Sequence, residues 1–372
     1  MSVLKYWVWL ASRQGVTALD TRRLLDAFGS PEQIYRAGRP ELAGCALSPY
    51  CLEKLCDKSM DRVEAILEAC AAQGIQLITL QDSQYPARLT QIYDPPVVLY
   101  VKGRMPEIDD VPVIAMVGTR KCTAYALDVT EKLAGQVARG GGLVLSGLAN
   151  GVDQAAHRGA LRAGGKTVAV MGCGLDIDYP KNAAEMKRDI AATGALISEY
   201  PPGCPALAQN FPPRNRILSG LSVGVVIVEA PEKSGAMITA RLAAEQDRDV
   251  FVHPGTVEDP VNAGNYALMR DGAKPVRTGA DILEEYVHLF PQAVELERAR
   301  PQRPLFSRKS ADGDESGRIL AALEGDQALH VDEIIERTRL PAATVLANLT
   351  VMEITGSVRQ LAGKRFQREP GW

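Results

Sequence analysis

The chain has 372 residues, enough for two or three domains at roughly 150 residues each. Lys plus Arg number 42 against 45 Asp plus Glu, a net charge of −3. That balance excludes a histone-like chain held on nucleic acid by bulk charge, but it permits a local basic groove. Apolar residues make up 46% and charged residues 23%, so there is ample material for a core.

Cysteine and histidine usage narrows the chemistry. Cys45, Cys51, Cys56, Cys70, Cys122, Cys173 and Cys204 form an odd set of seven with no CxxC pair. His157, His253, His288 and His330 are scattered. A Cys/His zinc site is therefore not expected, and most of the thiols read as buried in a reducing compartment. The apolar run Tyr6-Trp-Val-Trp-Leu-Ala11 is too short for a signal-peptide core. No apolar stretch approaches the ~20 residues of a membrane helix. The expectation is a soluble, cytoplasmic protein with no membrane association, no metal and no cofactor.

In chain order, residues 1–85 read as a helical domain. Thr21–Phe28 has helical spacing and stops at Gly29; Ser30-Pro31-Glu32 reads as a cap and first turn. Val63, Ile66, Leu67 and Cys70 recur at helical period within 61–73. Residues 86–290 alternate Val/Ile-rich runs with amphipathic stretches. The expected strands are 113–117, 142–145, 167–171, 195–198, 223–228 and 249–252. Strands apolar on both faces, each followed by a helical pattern, indicate α/β: a doubly wound parallel sheet covered on both sides. Residues 291–315 read as a linker, rich in Arg, Pro, Gln and Ser. Residues 316–372 read as a small winged helix. Its helices are expected over 319–323, 331–337 and 342–354, with a wing over 356–366.

Three apparent motifs fail their context. Gly118-Thr-Arg-Lys-Cys-Thr123 has one glycine where the dinucleotide fingerprint needs three, and Arg120 stands where backbone must approach a pyrophosphate. Gly165-Lys166-Thr167 lacks the earlier P-loop glycine, which is Ala160 here, and precedes a strand. Gly220-Leu-Ser222-Val-Gly224 matches GxSxG, but with helix before and strand after; Ser222 reads as a turn residue.

The loops at the strand C-termini carry more weight, because this fold gathers them on one face. They hold Gly118, Thr119 and Arg120; Ser146, Gly147 and Asn150; Lys181; Phe211, Arg214, Asn215 and Arg216; and Ser234 with Gly235. Helix N-termini there favour an anion. Basic groups interleaved with Tyr179 and Phe211 describe a single-strand nucleic-acid groove. Each residue also has a structural reading. Arg120 is a surface arginine or, placed in a helix's first turn, a cation whose position makes sense with a bound anion. Lys181 is likewise expected at a helix start. Phe211 is a stacking platform or a core plug. Arg214 and Arg216, at i and i+2, cannot share a helix face, so one is expected to have a structural partner. Asp153 reads as capping or charging a helix N-terminus, and Ser146 and Ser234 as holding loop backbones.

These segments together resemble the DNA-processing protein A family, also called Smf, of bacterial natural transformation. The resemblance rests on Val117-Gly-Thr-Arg120, Ser146-Gly-Leu-Ala-Asn-Gly-Val-Asp153, Ala156-His157, Val170-Met-Gly-Cys-Gly-Leu-Asp176, Tyr179-Pro180, Ser198-Glu-Tyr-Pro-Pro-Gly203, Phe211-Pro-Pro-Arg-Asn-Arg216, Val228-Glu-Ala230, Ser234-Gly235 and Pro254-Gly255, in that order. It implies an extended Rossmann-like domain that binds single-stranded DNA without a nucleotide cofactor or catalysis. It also implies protection of incoming strands, loading of the RecA recombinase onto DNA coated by single-strand binding protein, and a homodimer. The N-terminal region resembles a sterile-alpha-motif-like or helix-hairpin-helix module. Carried over residue by residue, the family's DNA pocket maps to Arg120, Lys181 and Phe211. One departure stands out: Ala208 occupies a position where some members have Lys.

The expected winged helix reads differently from a duplex reader. Its last helix, 341–355, holds no Lys or Arg, whereas Arg359, Lys364, Arg365 and Arg368 lie in or beside the wing. Wing-to-phosphate contact, a protein partner, or plain packing are the readings it leaves. Two rivals to the DNA-mediator reading remain. One is a nucleotide phosphoribohydrolase of related fold, whose Pro-Gly-Gly-x-Gly-Thr loop is replaced here by Glu229-Ala-Pro-Glu-Lys-Ser-Gly235. The other is a protein–protein adaptor.

Overall fold

The structure, a computed structural model, describes residues 3–256, 259–298, 315–323, 328–354, 357–361 and 363–368. The chain divides into two compact units, 1–301 and 302–372.

The first unit is built on one nine-stranded sheet in the order β1-β2-β6-β5-β4-β3-β7-β8-β9. The strands are β1 (Gln76–Thr79), β2 (Val98–Gly103), β3 (Val113–Val117), β4 (Leu143–Ser146), β5 (Thr167–Met171), β6 (Ala195–Ser198), β7 (Gly224–Ile227), β8 (Asp249–Val252) and β9 (Lys274–Pro275). From β6 through β9 every pairing is parallel; β2 runs antiparallel to β6 and to β1. The six expected strands are all present, each within a residue or so of its expected bounds. β1, β2 and β9 extend the sheet beyond them, and β1 lies inside the stretch read as wholly helical.

The alternation along β3 shows why the sheet is covered on both faces. Val113, Ala115 and Val117 join the core under the helices Phe211–Leu221 and Gly235–Glu245. Ile114 and Met116 join the opposite core, under Ala124–Arg139 and Val152–Arg162. Such a strand needs apolar residues at every position, which its sequence supplies. The N-terminal helices pack on the β2–β6–β5 end of the sheet. Trp7, Val8, Trp9 and Leu10 share a core with Val98, Tyr100, Met171 and Leu196. Local signals set their ends: a Thr17/Asp20 capping box starts Ala18–Phe28, and Gly29 closes it at φ 75°. Ser30 caps Pro31–Arg36 by accepting from the Gln33 N–H.

Residues 291–298, read as linker, are helical (Pro291–Arg298); the rest of that stretch, 299–314, lies outside the described residues. The second unit has helices Glu315–Ala322, Val331–Thr338 and Ala342–Ile354 and a three-stranded sheet. The sheet order is β10 (Leu329–His330), β12 (Arg365–Arg368), β11 (Val358–Leu361). Ile319, Ile334, Val345, Leu349, Val358 and Phe366 form its own core. This is the expected winged helix; Gly356 and Ala362 of the expected wing lie outside the described residues.

All seven thiols are free, but only Cys51, Cys70 and Cys173 are buried, fewer than expected. Among the described residues no helix is long and apolar enough to cross a membrane.

Candidate nucleic-acid interface

Strand order reverses at β3: β4, β5 and β6 follow on one side and β7, β8 and β9 on the other. Loops leaving two strands that diverge in this way open a crevice at their carboxyl ends. The 118–123 loop after β3 and the 228–234 loop after β7 flank a cavity of 640 Å3 there. Gly118, Thr119, Arg120 and Lys121 line one side, Lys233, Ser234 and Gly235 the other. Tyr179, Phe211, Arg214, Asn215 and Asp153 complete it, and Ala208 lies on its wall.

Helix Phe211–Leu221 starts with prolines in its first turn, which presents Phe211 at the crevice. The Phe211 ring lies 5.2 Å from Tyr179, tilted by 43°. Arg120 is exposed, with its guanidinium 5.5 Å from the Phe211 centroid, within cation–π range. Phe211 is therefore half-buried at the wall and not a plug.

Several expected positions are corrected. Arg120 is not in a helix's first turn. The helix begins at Ala124, capped by Thr123, whose side chain accepts from the Ala126 N–H. Lys181 precedes its helix, Ala184–Thr193, in an exposed turn and does not line the cavity. Asp153 lies in the first turn of helix Val152–Arg162, as the charge expected at a helix start, while the cap position itself is Gly151. The buried Asp153 carboxylate accepts the Gly147 and Ala149 N–H groups, both at 3.2 Å, and so holds the 147–150 loop. Ser146 ties strand to strand, its hydroxyl donating to the Met116 carbonyl at 2.6 Å. Ser234 precedes helix Gly235–Glu245 without capping it; its hydroxyl is buried and makes no hydrogen bond among the described residues.

Both arginines of the Arg-Asn-Arg stretch are held by the protein. Arg216 donates to both Glu199 carboxylate oxygens, at 2.8 and 2.6 Å, and pairs with Asp94. It does not line the cavity. Arg214 is 4% exposed; its Nη1 donates to the Gly147 carbonyl at 2.9 Å and to the Val170 carbonyl, and its Nε to Asn215 Oδ1. Gly147 is buried beneath it: a Cβ there would lie 2.4 Å from the guanidinium. Asn150 is exposed, its amide oxygen accepting from Gln154 at 3.1 Å.

Two buried groups have displaced pKa values. Burial pushes Asp153 up to about 6, opposed by Arg214 and the two loop N–H bonds. Burial pulls His157 down to about 3, with Arg214 acting the same way, so its imidazole stays neutral against Thr167 at 2.8 Å. Lys121 and Lys233 line the cavity but were not singled out from sequence. Their signal was position in the β3 and β7 loops, which only the strand order brings together.

The sequence and the fold are similar to those of known proteins. The family model for DNA recombination-mediator protein A matches residues 76–287, and that for the DprA winged helix domain matches 300–364. The chain belongs to the DNA recombination-mediator protein A family. It is 33% identical to Protein Smf of Synechocystis, over 98% of both chains. It is 41% identical to DNA processing protein DprA of Bacillus subtilis, over 60% of this chain and 75% of that one. The X-ray structure of DNA processing protein A from Streptococcus pneumoniae superposes with a TM-score of 0.68 at 33% identity, covering 77% of this chain and 99% of that one. DNA processing protein A from Helicobacter pylori, described for its single-stranded DNA binding mode, superposes with a TM-score of 0.52 at 31% identity, covering 58% and 98%.

Proposed function

We propose that this member of the family binds single-stranded DNA in the β3/β7 crevice and acts as a recombination mediator without catalysing a reaction. In natural transformation it protects incoming strands and helps load RecA, working in the cytoplasm as a homodimer on DNA coated by single-strand binding protein. The observation that carries the reading is one cavity combining Arg120, Lys121 and Lys233 with the Tyr179–Phe211 pair. Phosphates meet the cations and a base stacks on the rings. The cavity's other charges, Arg214 and Asp153, offset each other. The Helicobacter pylori relative's single-stranded DNA binding supports the same ligand class. Glu229, which opens the segment standing in place of the hydrolase loop, is 2% exposed, bonded to Thr123 and absent from the cavity wall.

The test is binding of a fluorescent oligo-dT by wild type and Arg120→Ala at two or more salt concentrations, with duplex as competitor. Three neutralised phosphates give a log–log salt slope of roughly −2, and losing Arg120 flattens it by about 0.7. Duplex is expected to compete poorly. Absence of salt-sensitive dT binding overturns the reading; release of free base from nucleoside monophosphates would then favour the hydrolase.

A further inference from the structure

One buried acid beside the crevice has no part in the ligand contacts above. Glu229 follows β7 and is 2% exposed. Its backbone carbonyl accepts the Thr119 N–H at 2.7 Å. Its carboxylate accepts the Thr123 N–H at 2.9 Å and the Thr123 hydroxyl at 2.6 Å. We infer that Glu229 is a positioning residue: it clasps the 119–123 loop at both ends and so fixes where Arg120 and Lys121 present their charges. Its consequence for DNA rests on the function proposed above; its geometry does not.

The hydrogen-bond polarity makes the carboxylate specific. The Thr123 hydroxyl accepts from the Ala126 N–H at 3.1 Å, so its single proton is directed to Glu229. A glutamine can still accept the Thr123 N–H through its oxygen. Its NH2 then faces the hydroxyl, and the hydroxyl proton loses its acceptor. The negative charge also lies behind a loop bearing two adjacent cations, offsetting their repulsion. The start of the loop is equally constrained: a Cβ on Gly118 would lie 2.9 Å from the Glu229 carbonyl and 2.6 Å from Val152.

The experiment uses the full chain with Glu229→Gln, alone and in an Arg120→Ala/Lys121→Ala background. Thr123→Val serves as a milder second variant and Thr123→Ser as its conservative rescue. Readouts are oligo-dT affinity, thermal midpoint, and native trypsin cleavage after Arg120 and Lys121, mapped by mass. Glu229→Gln is expected to weaken dT binding about tenfold, the scale of one misplaced charge-assisted contact, and to speed cleavage at the loop. In the charge-free background its effect on dT is expected to fall below about twofold, because coupled residues are not additive. Thr123→Val reproduces part of the loss and Thr123→Ser restores it. Equal weakening in both backgrounds, or unchanged cleavage and affinity, overturns the inference. If the wild type does not bind dT, the DNA reading fails, and the cleavage rates alone still decide whether Glu229 holds the loop.

Discussion

Arg214 offers the sharpest test of how the crevice is built. Its guanidinium is almost fully buried and donates to the carbonyls of Gly147 and Val170, which belong to two different strand-end segments. Replacing it with Met keeps the length and removes the donors. Each buried acceptor left unpaired costs about 1–3 kcal/mol, partly offset because a buried cation no longer has to be desolvated. The expected net loss is about 2–4 kcal/mol, read by urea unfolding followed by circular dichroism. Asp153→Asn removes the charge that most favours Arg214's ionised form. Combined with Arg214→Met, the two losses should fall short of their sum by on the order of 1 kcal/mol. If Arg214→Met leaves stability within about 0.5 kcal/mol of wild type while dT binding collapses, Arg214 is a phosphate ligand and its role as a structural tie between the two segments is refuted.

Phe211→Ala should cost roughly 1–3 kcal/mol of dT binding by anisotropy if the ring stacks on a base. Arg216→Ala should destabilise the fold by about 2–4 kcal/mol, since it strips the largely buried Glu199 of its partner, with the salt slope of DNA binding unchanged. A changed slope would place Arg216 in the site. The pH dependence has opposing parts. His157's depressed pKa makes the unfolded chain bind more protons below pH 6.5, so acid costs stability there, at most ~1.4 kcal/mol per pH unit. Asp153's raised pKa makes the folded chain bind more protons between about pH 4 and 6, so acid adds stability there. His157→Gln should remove the first effect, so its melting midpoint should rise relative to wild type as pH falls from 6 to 4.5. A chain cut after Pro301 should bind dT within about threefold of the full chain, because the crevice lies wholly in the first unit.

The legible parts of the fold were those where local pattern and final environment agree. β3 and β5 are buried at every position, and their runs, apolar but for Thr167, mark them in the sequence. β2 carries a comparable run, Val-Leu-Tyr-Val, but no helix follows it, so the strand–helix alternation passed it over. β1 and β9, of four and two residues, are short and partly exposed. Such strands are fixed by their neighbour's register more than by their own sequence. At the site, loop membership was legible and side-chain assignment was not. Arg120 falls before its helix because Thr123, not an earlier residue, makes the capping bond. Arg214 and Arg216 read alike in sequence; only the tertiary fold sends one to backbone carbonyls and the other to Glu199.

The winged helix bears on which unit meets nucleic acid. In the helix Ala342–Ile354, Ala342, Ala343, Leu346, Ala347, Thr350 and Val351 are all exposed, and none can bond a phosphate as a cation. A helix that enters a major groove contributes charge and hydrogen-bond donors from that surface. Here the exposed face carries no cation and its one charge is Glu353, while the preceding helix carries Asp332, Glu333 and Glu336. The first unit instead concentrates Arg120, Lys121 and Lys233 around one cavity in a chain of net charge −3. Affinity for a polyanion follows local cations and not net charge, so the proposed crevice has the cations a strand needs, the helix Ala342–Ile354 supplies none for a duplex, and the second unit's cations Arg359, Lys364 and Arg365 lie on its wing.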